Sequence, residues 1–93
     1  MVTGPVKTVH LGSENDEILR WSLNEVVLGL GAKELTHECS MGSYERVEAQ
    51  VRSERLVIDS KTNAGVSIFG PTALVDEIHG MVQNRLSKIT PRA

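Results

Sequence analysis

His37 and Cys39 stand two residues apart in the run Lys33 to Met41, and the two-residue period of a strand puts their side chains on one face. An imidazole beside a thiol can take its proton, which would make Cys39 a nucleophile and His37 its base. Leu35 and Met41 share that face, however, and this is the pattern of a core strand that buries its thiol. A zinc site would need His10 or His79 and a carboxylate as well, and His-x-Cys lacks the paired spacing of structural zinc modules. No metal and no cofactor is expected.

The remaining charged residues suggest pairing more than acid-base chemistry. Glu38, Glu45 and Glu48 alternate with Arg46 and Arg52 in neighbouring runs, an arrangement that cross-strand ion pairs explain. Asp76 and Glu77 are adjacent on a helical pattern, so they point in different directions. Gly12, Gly29 and Gly31 match neither a P-loop nor a dinucleotide fingerprint. An outward sheet face carrying Tyr44, Arg46, Arg52, Arg55 and Lys61, with Gln50 and Phe69, would offer arginines and aromatics to single-stranded RNA. Twelve acidic residues against ten basic ones give a net charge of -2, without the basic excess such binding relies on.

A different surface emerges from the helical stretch after Gly12. Leu19, Leu23, Val26, Val27 and Leu30 recur at helical spacing and form one inward stripe. At 100° per residue, Trp21, Ile18 and Leu28 fall on the opposite side, with Glu25 among them. A second apolar stripe that includes tryptophan is the composition of a contact with another protein, or with a second copy of the chain.

These residues need elements to hold them. Val6 to Leu11 alternates as a strand; Ser13 and Asp16 have the spacing of a capping box and open a helix from Ser13 to Leu30, which Gly29 and Gly31 can end. Lys33 to Met41 and Tyr44 to Arg52 alternate as strands around Gly42 and Ser43, with Val47, Ala49 and Val51 inward and Arg46, Glu48, Gln50 and Arg52 outward. A turn at Ser53 to Arg55 follows. Leu56 to Ser60 and Val66 to Phe69 then form a hairpin around Lys61 to Gly65, where Asn63 and Gly65 tolerate positive φ. The last helix opens at Gly70 to Thr72 with Pro71 in its first turn. It repeats Leu74, Val75, Ile78, Met81, Val82, Leu86 and Ile89 until Pro91. Gly80 in its middle predicts a close-packed neighbour, the first helix.

The fold class is therefore α+β, an antiparallel sheet of four to five strands with two helices on one face, in the order β-α-β-β-β-β-α. Residues 1–93 make a single domain, with residues 1–5 and 90–93 expected to be flexible. Apolar residues at 40% and charged residues at 24% are ordinary for a globular chain that folds alone. One cysteine cannot make an internal disulfide, and neither an export signal nor a membrane-spanning run is legible, which together predict a cytoplasmic protein.

Functionally, the sequence predicts a non-enzymatic protein-interaction module. This is a small regulatory or inhibitory protein that acts as a homodimer or by binding a larger partner through Trp21, Ile18, Leu28 and Glu25. The alternatives are an RNA- or ribosome-associated protein using the open sheet face, and a thiol-dependent enzyme at Cys39.

Overall fold

The computed structural model describes residues 5–40 and 44–89, and of Ile89 the backbone alone. Five strands and two helices follow one another as β1 (Val6–Gly12), α1 (Glu17–Gly29), β2 (Lys33–Ser40), β3 (Tyr44–Val51), β4 (Glu54–Lys61), β5 (Gly65–Pro71) and α2 (Thr72–Ile89). All strand pairs are antiparallel and the sheet order is β1-β5-β4-β3-β2. The expected α+β architecture and element order are thus those of the structure, with five strands. Residues 1–4, Met41 to Ser43 and residues 90–93 lie outside the described residues, and with them the Gly42-Ser43 turn, Met41 as a member of the β2 face, and both flexible ends. Pro5 is held in place, because its carbonyl accepts from the Thr72 N–H at 3.1 Å.

Burial follows the two periodicities. Leu19, Leu23, Val26 and Val27 of α1 and Leu74, Val75, Ile78 and Val82 of α2 form one core with Val51, Leu56, Val66 and Ile68 of the sheet. Met81, assigned above to this stripe, is exposed. It stands on the outer side of α2, lining a groove with Trp21.

Several local details depart from the sequence reading. Asp16, not Ser13, caps α1, and its carboxylate accepts from the Leu19 N–H at 3.0 Å. The Ser13 hydroxyl instead accepts from the Asn15 N–H two residues on, a local turn that ends before the helix. At the other end of α1 the Ala32 N–H reaches the Val27 carbonyl and the Gly31 N–H the Leu28 carbonyl, both at 3.0 Å. With Gly31 at φ +81° this is a Schellman stop. Pro71 is the last residue of β5 and not part of α2. Arg52 and Ser53, both at positive φ, form a two-residue hairpin turn, so β4 begins at Glu54 and the turn lies earlier than Ser53 to Arg55.

Gly80 has no packing partner. A Cβ built there meets nothing within 4 Å, and the helix itself sets φ to a value any residue accepts. Gly80→Ala is therefore expected to raise unfolding stability by about 0.5 to 1 kcal/mol through reduced chain entropy alone, read as a higher denaturant midpoint at unchanged slope.

The two helices do not span the whole sheet. Along the cross-strand row Ile68, Ile58, Val47, His37, the side chains pass from buried through half-buried to exposed. All eight residues of β2 are exposed. The expectation that β2 is a core strand burying Cys39 is overturned, because the core that α1 and α2 form with the sheet draws on β3, β4 and β5 and takes no residue of β2, which is left exposed along its length.

Candidate functional site

On the helix side, α1 forms one wall of a groove whose floor is the uncovered part of β3, β4 and β2. The groove has a volume of about 530 Å³, and its lining includes Trp21, Val27, Leu28, Ala32, Val47 and Ile58. Trp21, Leu28 and Ile18 are 50%, 57% and 45% exposed. Trp21 also forms the edge of a second groove between the helices, where the Arg85 guanidinium of α2 lies 5.3 Å from the centre of its ring. Glu25 lines that second groove. The apolar ridge read from helical geometry is thus solvent-facing, because the core takes only the stripe through Leu19 and Val26.

A charged bridge closes one end of the first groove. Glu45 of β3 accepts from the Arg20 guanidinium of α1 at 2.9 Å through one carboxylate oxygen, and its other oxygen lies 2.6 Å from His37 Nε2 on β2. This places Glu45 on the helix side with Val47 and Ala49, not on the outer face with Glu38 and Glu48 as the cross-strand pairing argument had it. The sequence gives only the alternation from which this placement follows. Arg20 as its partner was missed, since nothing local brings α1 to β3.

His37 and Cys39 do share a face, as expected, each opposite a helix-side residue of β3: Val47 for His37, Glu45 for Cys39. The imidazole is engaged by Glu45, and no hydrogen bond joins it to the exposed thiol among the described residues. Among the same residues no group of three or more His, Cys, Asp or Glu side chains could hold a metal ion.

The outer sheet face gathers Tyr44, Arg46, Arg55, Lys61 and Phe69, and pairs most of its charges internally. Glu48 takes both Arg46, at 3.8 Å, and Arg55, at 3.4 Å. Tyr44 donates to Asp59 at 3.1 Å, and Lys61 sits 5.5 Å from its ring centre. Arg52 does not belong to this face. Its left-handed φ of 52° in the hairpin turn carries its side chain toward α2, where it donates twice to Glu77, at 2.7 and 2.9 Å. Asp76, as expected, diverges from Glu77 and meets Lys7 of β1 at 2.7 Å.

The double hydrogen bond from Arg52 holds the Glu77 carboxyl below its ordinary value. A carboxyl whose folded value is depressed adds stability above its unfolded value and loses it as the pH falls through the folded one. The melting-temperature difference between the protein and its Glu77→Gln variant is therefore expected to be present at neutral pH, to shrink as the pH falls through the ordinary carboxylate range and to vanish only below the depressed folded value, as thermal melts across that range would show.

No helix among the described residues is long and apolar enough to cross a membrane. Compared with known proteins, the chain matches no family model, no curated protein and no solved structure at a significant level.

Proposed function

We propose that this chain is a non-enzymatic protein-interaction module that holds an apolar segment of a partner protein in the groove between α1 and the uncovered part of the sheet. The observation that carries this is the position of Trp21 and Leu28: two large apolar side chains, each at least half exposed, flank an apolar trough that the helices leave open. An exposed tryptophan beside a preformed apolar floor is where interfaces concentrate their energy. The Arg20-Glu45-His37 bridge gives the groove a polar end that fixes the orientation of what enters it, while Ile18, exposed, and Glu25, on the groove between the helices, lie outside its lining. A regulator or inhibitor works in this way, by occupying a partner without transforming it.

The test compares the protein with a Trp21→Ser, Leu28→Ser double variant chosen to melt at the same temperature or higher. Proteins retained by the first and lost by the second are purified and titrated against both. Affinity is expected to fall by about 30-fold or more in the variant, the effect of removing an interface anchor worth roughly 2 kcal/mol. Equal binding of both forms, or no protein that distinguishes them, would overturn the reading. On binding, the emission of Trp21 is expected to shift to shorter wavelength as the ring leaves water.

A further inference from the structure

We infer that β2 pairs with the β2 strand of a second copy of the chain, joining two five-stranded sheets into one antiparallel sheet of ten. β2 is an end strand of the sheet, with its open edge along Lys33 to Ser40. The backbone N–H and C=O groups on such an edge are a template for another strand. Natural edges are guarded with lysine, with other charges and with bulges, and β2 has all three: Lys33, Glu34, Glu38 and an irregularity between Glu34 and Thr36. A generic strand is turned away by that set. Its arrangement nonetheless fits one partner.

Set two copies of the strand antiparallel about a twofold axis midway between Leu35 and Thr36. Lys33 then lies opposite Glu38, Glu34 opposite His37, and Leu35 opposite Thr36, each pair occurring twice. Every charge meets an opposite or protonatable group, and no like charges face each other.

Opposed side chains must also lie on the same face of the sheet, and here the bulge decides. In a regular strand residues five or three apart point to opposite faces, so neither Lys33 with Glu38 nor Glu34 with His37 would match. The register with β3 shows otherwise. Lys33 and Glu38 pair with Gln50 and Arg46 on the outer face, and Glu34 and His37 with Ala49 and Val47 on the helix side. The extra residue at Leu35 brings each set into phase, and a second copy carries the same bulge. Within one copy Lys33, Glu34 and Glu38 take part in no ion pair among the described residues; Arg46, although opposite Glu38, is turned to Glu48.

A twofold axis normal to the sheet keeps both α1 helices on the same side. The two grooves then share the floor β3-β2-β2-β3, with an α1 helix as each wall. Trp21 and Leu28 stay outside the pairing, so the dimer stands or falls separately from the proposed binding of a partner segment.

Light scattering and sedimentation over a wide concentration range are expected to show a species of twice the 10.2 kDa chain mass, weakened by salt. Lys33→Glu places glutamate opposite Glu38 twice, and Glu38→Lys places lysine opposite Lys33 twice. Each variant alone is expected to dimerise about 30-fold more weakly. At low concentration, where the protein is monomeric, Lys33→Glu, which faces Gln50, is expected to leave the melting curve unchanged, and Glu38→Lys, which faces Arg46, to lower it only slightly. Mixed together, the two variants restore both attractions, and a heterodimer as tight as the original is expected. A chain that is monomeric at all concentrations, variants that dimerise as well as the parent, or a mixture with no preference for the heterodimer would each overturn the inference. Trp21→Ser, Leu28→Ser is expected to dimerise normally, which separates failure of this inference from failure of the groove reading.

Discussion

Gly65→Ala is expected to destabilise the domain by about 3 to 4 kcal/mol, the largest effect of a methyl group added at any of the described glycines. Gly65 begins β5 at φ +90°, a conformation that side chains rarely adopt. A Cβ there would overlap both the Gly12 carbonyl oxygen and His10 Nε2 of β1. The first of these is main chain, so relief requires β1 to move off β5 at the point where their register shifts, between His10 and Gly12. The same His10 nitrogen contacts the Ala64 carbonyl at 3.0 Å, so the alanine also displaces a bond that ties the strand to the turn. Urea denaturation would give the size of the effect. In a His10→Ala background the cost is expected to shrink only in part, because the backbone overlap and the positive φ remain. A loss below about 1 kcal/mol would show that β1 and the turn separate freely.

The second large effect distinguishes the apolar residues that hold the fold from those that do not. Ile78 on α2 is fully buried in the core, and Ile78→Ala is expected to cost about 3 to 4 kcal/mol from lost transfer energy and the cavity left behind. Trp21 is larger, yet Trp21→Ala is expected to cost less than about 1.5 kcal/mol, since the ring is half exposed and lies against the Arg85 guanidinium of α2 at the edge of an open groove. The order of these two costs is the point: a tryptophan whose removal is cheaper than that of an isoleucine is not retained for stability of the single chain. Equal costs by chemical denaturation would mean that Trp21 is core, and the groove would lose its anchor.

How far the sequence carries these conclusions differs from one element to the next. The inward stripes of both helices and the alternation of β3 are local patterns, and most of their residues land where the period places them; Met81, on the outer side of α2, and Arg52, carried off the outer sheet face by its turn, do not. Trp21, Ile18 and Leu28 were separable from Leu19 and Val26 by angle alone, because a helix cannot turn two opposite faces to one sheet. The turn at Arg52 and Ser53 was harder to read. Neither residue is a glycine, so the positive φ that sends Arg52 to Glu77 leaves no mark in residue type. Gly80 misled for the opposite reason: a glycine suggests close approach, but here it meets only open space.

β2 shows where local pattern stops. Leu35, His37 and Cys39 alternate as a buried strand would, but whether a strand is buried depends on what lies above it, and that is settled by where α1 crosses the sheet. The bulge at Leu35, which brings Lys33 and Glu38 to one face, arises from pairing with β3 and has no signature in the run itself. The Arg20-Glu45-His37 bridge likewise joins residues 25 and 8 positions apart through the crossing of a helix over two strands. The sequence by itself determined the helical and strand periodicities, and hence the kind and order of the elements, because periodicity is a property of neighbours along the chain; that the strands number five, where four to five were expected, is settled by their pairing in the sheet. Only the tertiary structure decided that the first helix, placed beside the second, stops short of β2. That leaves exposed the strand, and with it the thiol and the imidazole, that a local reading had placed in the core.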